Sequence, residues 1–145
     1  MRVYSLNISS KKGVQKKPVS RITLVKDKGV EGDAHLGGER QVSLLAKEET
    51  DSFNAKMKTK IKPGMFAENI TTEGVDFSKI EAGNMLRIGK ALLEVTQIGK
   101  ECHEGCSIRK ATGSCIMPKK GVFARVLEGG SVRKGDPIIV LFKVG

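Results

Sequence analysis

Apolar and polar residues alternate along most of this chain in short runs separated by glycine, the signature of half-buried strands. The runs 3–8, 21–25, 41–45, 68–72, 84–88, 91–98, 122–127 and 138–142 are predicted strands. The clearest hairpin runs from Met85 to Val95 around Gly89-Lys90, where a leading glycine permits the positive φ of a type II′ turn. Ala91, Leu93 and Val95 then share one face. The stretch 46–57 departs from this period: Ala46, Phe53 and Met57 fall near one face while Lys47, Glu48, Glu49 and Asp51 take the other, which predicts an accessory helix. Pro63-Gly64, Glu73-Gly74, Gly83-Asn84, Gly129-Gly130 and Gly135-Asp136-Pro137 read as turns. A mainly β domain of the sandwich or barrel kind follows. With no internal repeat or linker, the 145 residues read as one domain, 1–145.

Composition narrows the setting. Hydrophobic residues at 39% and charged residues at 29% suit an ordinary soluble protein, and no apolar run reaches the roughly 18 residues of a membrane helix, so no membrane partner is expected. The strand-like start Met1-Arg-Val-Tyr-Ser-Leu-Asn7 lacks the regions of a secretory signal, and the reading is cytoplasmic, with free thiols.

Lys and Arg number 26 against 16 Asp and Glu, a formal charge of +10 whose field attracts phosphates and acidic partners. Aromatic residues at 4%, with no Trp, supply few stacking platforms, and no recognition-helix motif appears, so nucleic acid is not the expected partner. The charge nevertheless defines an alternative function: a basic β-barrel binding module for nucleic acid or an acidic protein, with structural cysteines. The basic stretch from Ser9 to Lys17 has the composition of a solvated loop, although its hydroxyl and ammonium groups beside Gly13 also suit a phosphate.

All three cysteines, Cys102, Cys106 and Cys115, share one glycine-rich, polar segment. A closed zinc knuckle fits poorly, because adjacent Cys102 and His103 point apart in an extended segment and no second knuckle exists. A reactive thiol fits better: Lys100, His103, Arg109 and Lys110 favour the thiolate, the form that attacks sulfur donors and binds metals. Spacing leaves open which thiol reacts. Asp33 and His35 read equally as a proton-donor site and as a turn organised by side-chain bonds to backbone amides. Arg125, in a half-buried strand, is expected to pair with Asp33 or Glu68 across the barrel. No Walker motif is present.

The stretches Ser9-Ser-Lys-Lys-Gly13, Gly29-Val-Glu-Gly-Asp-Ala-His-Leu-Gly-Gly-Glu-Arg-Gln-Val-Ser-Leu-Leu45, Gly64-Met-Phe-Ala-Glu-Asn-Ile-Thr-Thr-Glu-Gly74, Ala82-Gly-Asn-Met-Leu-Arg-Ile-Gly-Lys90, Glu94-Val-Thr-Gln97 and Gly121-Val-Phe-Ala-Arg-Val-Leu-Glu-Gly-Gly-Ser-Val-Arg-Lys-Gly-Asp136 follow in order over almost the whole chain. With the cysteine segment before Gly121, they make the chain resemble the MOSC domain, the C-terminal module of molybdenum cofactor sulfurases and of small stand-alone prokaryotic proteins. The resemblance implies a mainly β fold, a distorted β-barrel similar to the pyruvate kinase barrel domain with a few short accessory helices. It implies that a cysteine accepts persulfide sulfur from a pyridoxal-phosphate-dependent cysteine desulfurase or ligates the molybdenum of a bound molybdenum cofactor. Cys102 fits the cysteine that follows the strand Glu94-Val-Thr-Gln97 in small members; Cys106 fits the molybdenum ligand of the amidoxime-reducing enzymes. Ser10, Lys12, Arg40 and Asn69 would help bind the anionic pterin phosphate or its ring, with Arg109 as a further anchoring cation. The implied partners are a cysteine desulfurase or a molybdenum cofactor biosynthesis protein. The chain is too short to hold a pyridoxal phosphate domain beside the barrel, so no site for that group is expected. Any catalysis would be sulfur transfer, or reduction of N-hydroxylated compounds with electrons from a separate donor, since the chain carries no flavin, haem or iron–sulfur motif.

Overall fold

In the computed structural model, which describes residues 1–12, 14–38, 40–99 and 120–142, the alternating runs form two sheets. The strands are β1 (Arg2–Ile8), β2 (Lys17–Val19), β3 (Arg21–Val25), β4 (Gly29–Val30), β5 (Val42–Ala46), β6 (Ile70–Glu73), β7 (Met85–Ile88), β8 (Ala91–Ile98), β9 (Val122–Glu128), β10 (Gly130–Arg133) and β11 (Ile138–Leu141). Eight pair in the order β11-β7-β8-β9-β5-β6-β1-β2, and β10-β3-β4 form a smaller sheet. Each of the eight predicted runs is a strand. The three that the pattern did not predict, β2, β4 and β10, are two to four residues long and carry Pro18, Gly29 or Gly130, so their pairing is imposed by neighbours and not by alternation.

The expected barrel is only a loose description, because the sheets do not close. The free edge of β11 returns to β1 at one point. There Arg2 bridges Pro137, the Val3 N–H donates to the Asp136 carbonyl, and the Ile138 N–H donates to the Met1 carbonyl.

The helix α1 (Lys47–Met57) is more than accessory: β5 and β6 run parallel, and a parallel pair needs a crossover, which α1 provides. Its buried residues are Thr50 and Phe53, while Met57 is 44% exposed, a correction to the expected apolar face. The reason is local. Met57 is the last helical residue, and the chain leaves through Lys58 in a left-handed cap, held by the Asn54 carbonyl. A short 3-10 turn, Phe77–Lys79, starts at Asp76, whose side chain accepts the Ser78 N–H. Among the described residues no helix is long and apolar enough to cross a membrane.

Register decides which side chains meet. Leu6, Ile70, Leu44 and Val122 lie opposite one another on neighbouring strands and enter the main core, together with Ala91, Leu93 and Val95 as the hairpin predicted. Gly89 opens that hairpin with φ +57. The opposite face holds a second core of Leu45, Phe53, Ile61, Phe66 and Phe123 under α1, with Phe53 and Phe66 packed edge to face at 5.0 Å. On that same face, next to this second core, the strands line up a row of polar residues.

Candidate functional site

The polar row follows from strand pairing: Ser5 lies opposite Thr71, Thr71 opposite Leu45, and two residues along β5 Ser43 lies opposite Phe123, which lies opposite Gln97. Asn7 shares the face of Ser5. Buried polar groups on a sheet are tolerated only when bonded, and these bond one another. Asn7 Nδ2 donates to the Glu68 carbonyl and to Thr71 Oγ1, and Asn7 Oδ1 accepts the Ser5 hydroxyl. Asn69 Oδ1 accepts the Ser43 N–H and hydroxyl, both at 3.1 Å, while its Nδ2 donates to the Asn7 carbonyl at 3.2 Å. Asn69 is thus a buried brace between β1 and β5.

Two loops close over one end of the row. Lys16 and Asp33 form an ion pair of 2.7 Å with side chains 1% and 0% exposed. Asp33 also accepts the Ser9 N–H on Oδ1 and the His35 N–H on Oδ2, so it organises the turn, one of the two readings open for Asp33 and His35. Burial alone would raise the Asp33 pKa. The Lys16 ammonium, as donor and as charge, and the two backbone N–H groups outweigh it and hold the carboxyl below its usual range. Lys16 therefore departs from the solvated-loop expectation for its stretch. Ser10 and Lys12 stay exposed in the turn that this pair anchors.

Beneath the loops lies Glu68, fully buried. Its Oε2 accepts the Thr71 hydroxyl at 2.8 Å, and its Oε1 has no hydrogen-bond partner among the described residues. Burial pushes the carboxyl above the ordinary glutamate range, against the Thr71 hydroxyl and the N–H groups of Glu68, Gly64 and Phe66. Ala67, beside it, holds φ +67, a conformation that L residues adopt at a cost of about 1–2 kcal/mol.

At the other end of the row stands Arg40. Its Nε donates to Gln97 Oε1 at 3.3 Å, and its guanidinium lies 5.6 Å from the centre of the Phe123 ring. Gln97 Nε2 in turn donates to the Gly99 carbonyl at 2.7 Å, and the Gly99 N–H donates to the Gly121 carbonyl at 2.6 Å. Arg40 is therefore wired to the stem from which residues 100–119 depart and to which they return. Cys102, Cys106, Cys115 and Arg109 lie outside the described residues. On the core side of the same stem, a cleft of about 410 Å³ is lined by Ile98, Val122, Val75, Phe77 and Lys120, among others.

Arg125 does not reach Asp33 or Glu68. It lies exposed on the outer face and bonds Glu94 at 2.7 Å, because its parity in β9 is opposite to that of the core residues Ala124 and Val126. Lys16, Asn7, Ser43 and Gln97 escaped sequence reasoning. Three sit at the polar parity of strands, where the alternation looks the same as for solvent-facing residues. Among the described residues no three His, Cys, Asp or Glu side chains converge on a metal position.

The family model described as MOSC domain matches residues 31–139. The uncharacterized protein YflK of Bacillus subtilis (strain 168) is 24% identical over 142 residues, covering 89% of this chain and 63% of YflK; the chain thus spans less than two thirds of that relative. Among solved structures, YuaD from Bacillus subtilis superposes with a TM-score of 0.81 at 19% identity, over 98% of this chain and 96% of its own. YiiM from Geobacillus stearothermophilus gives 0.78 at 21% identity, over 97% of this chain and 75% of its own. At these identities the structural likeness establishes the fold.

Proposed function

From the premise that this chain belongs to the MOSC domain family, matched over residues 31–139, we propose that a thiolate of its 100–119 segment holds persulfide sulfur or the molybdenum of a bound cofactor. The family is associated with molybdenum cofactor binding and with sulfur-related function. The observation that carries the reading is the link from Arg40 through Gln97 to Gly99, which sets a guanidinium beside the stem of the cysteine segment.

The described residues fit an anionic organic group better than a bare metal. They supply donors and cations, with Arg40 using only Nε toward Gln97, and no carboxylate or imidazole cluster, so any metal ligand would come from the thiols. In this proposal Cys102 or Cys106 is the ligand or persulfide carrier, Arg40 and Arg109 anchor phosphate, and Ser10 and Lys12 approach from the turn fixed by Lys16–Asp33. Asn69 acts at one remove by bracing β1 against β5. When bound, the cofactor supplies redox-active molybdenum; the chain supplies position and charge. A cysteine desulfurase or a molybdenum cofactor biosynthesis protein would deliver the cargo.

The test has two arms. Protein incubated with molybdenum cofactor and desalted should retain molybdenum by elemental analysis, or protein treated with a desulfurase and cysteine should gain a sulfur atom by intact mass. Replacing both Cys102 and Cys106 by Ser should abolish whichever is found. Arg40→Ala should weaken cofactor retention roughly ten- to hundredfold, the loss of one charge-assisted contact, and leave sulfur loading intact. Neither cargo on the wild type, or cargo indifferent to loss of both cysteines, overturns the proposal.

A further inference from the structure

Residues 52–67, which end α1 and lead through the Pro63-Gly64 turn, contain no carboxylate, whereas lysine recurs at Lys56, Lys58, Lys60 and Lys62. All four are exposed, and no described carboxylate forms an ion pair with any of them. Asn54 holds the segment in one shape. Its Nδ2 donates to the Ile61 carbonyl at 2.9 Å, its Oδ1 accepts the Thr59 hydroxyl and the Ile61 N–H, both at 2.8 Å, and its carbonyl accepts the Lys58 and Thr59 N–H groups. Ile61 is thereby turned into the second core, and Lys58, Lys60 and Lys62 alternate outward.

The helix accounts for only part of this charge. Its dipole favours a cation in or next to the last turn, which suits Lys56 and Lys58, but Lys60 and Lys62 lie beyond its reach. The positive field is wider than the segment. Residues 1–26 also lack any carboxylate, and they meet this stretch where the Lys16 N–H donates to the Gly64 carbonyl at 2.7 Å, which brings the exposed Lys17 to the same corner. Residues 100–119 carry Lys100, Arg109, Lys110 and Lys119 against Glu101 and Glu104, so they add to the positive balance and do not cancel it.

We propose that the 56–62 segment docks an acidic, amphipathic segment of another protein, its carboxylates against Lys56, Lys58, Lys60 and Lys62 and an apolar side chain against Met57. Charge complementarity supplies the attraction, and the Asn54 clamp lowers the ordering cost because the backbone is already fixed. Met57 decides between classes of polyanion. It is 44% exposed between two of the lysines, and a flexible thioether suits the apolar stripe of an acidic helix. A nucleic acid would draw instead on aromatic rings for its bases and on arginine forks, and the segment holds neither. Ile61 shares the second core with Phe123, against whose ring Arg40 lies, so a partner held here sits beside the candidate site. The inference is independent of what the thiols carry.

Fluorescence anisotropy of the full chain with a labelled helical peptide of Glu, Ala and Leu, the Leu forming one stripe, should show saturable binding at low ionic strength that weakens as salt is added. Lys60→Glu with Lys62→Glu should weaken it at least tenfold. Lys26→Glu with Lys134→Glu removes the same charge from exposed positions next to the small sheet and should weaken it by no more than about threefold, the loss of net field alone. Met57→Ser should weaken the peptide about fivefold and leave unchanged a peptide with Ser in place of Leu. A single-stranded oligonucleotide of equal charge should bind more weakly than the Leu peptide. All five substituted side chains are exposed, so the variants keep the fold. No peptide binding at low salt, equal effects of the two double reversals, a Met57→Ser variant that treats both peptides alike, or an oligonucleotide bound as tightly as the peptide overturns the proposal.

Discussion

Replacing Asp33 by Ala would leave the Lys16 ammonium buried with its counter-charge gone. The pair is 2.7 Å long with side chains 1% and 0% exposed, so water does not replace the lost partner. Breaking a buried pair from one side destabilises by about 3–5 kcal/mol. Asp33 also accepts the Ser9 and His35 N–H groups, which places the expected loss at the upper end of that range. Against a total stability of about 5–15 kcal/mol the change is large, and at roughly 3 °C per kcal/mol for a domain of this size it lowers Tm by on the order of 10 °C. The assay is urea unfolding of wild type, Asp33→Ala, Lys16→Met and the double variant. The double variant should be less destabilised than the two single losses summed, by about 2 kcal/mol or more, because it removes the stranded charge. pH provides a second readout. Asp33 is held below its usual pKa of 3.8, so its contribution is complete above that value and is lost as pH falls through the lower folded-state pKa. The acid limb of the stability curve should flatten in Asp33→Ala. An Asp33→Ala protein within about 1 kcal/mol of wild type, or an additive cycle, would refute the assignment of Lys16–Asp33 as the anchor of the two loops.

Two further outcomes concern the same corner. Glu68 has its pKa raised by burial, so stability associated with its protonated form is complete below the ordinary glutamate range and falls as pH rises toward the folded-state pKa; Glu68→Gln should remove this decline, as measured by urea unfolding from pH 5 upward. Gly64 has φ +86, and a Cβ there would overlap the Lys16 carbonyl oxygen and press on Asn7 at 3.0 Å, so Gly64→Ala should destabilise by roughly 2 kcal/mol or more, read from the unfolding midpoint at constant m-value.

The strand runs were legible because each face of these sheets meets a different environment, and alternation records that directly. Residues 21–25 and 91–98 match β3 and β8 to the residue, and the Gly89 turn is where its backbone freedom is needed: a Cβ would come within 2.7 Å of Asp136 Oδ2. The cysteine cluster and the cations near it were legible as composition. Arg40 was singled out through the family motif that carries it, and the structure sets it against Gln97 and Phe123. The site's frame was not. Asn7, Ser43 and Gln97 carry the polar parity that solvent-facing residues also carry, and only contacts from distant parts of the chain bury Asn7 and Ser43 and half-bury Gln97.

Local pattern thus determined the mainly β character, the strand positions and the segment in which to seek sulfur or metal chemistry. Those properties depend on near neighbours in the chain. Tertiary structure decided that Arg125 faces outward to Glu94, that Lys16 leaves solvent to meet Asp33, that the sheets stay open, and that Arg40 reaches Gly99 through Gln97. Each of these joins residues 17 to 57 positions apart, or depends on which strand lies beside which, and burial by distant chain segments is a property that no local alternation encodes.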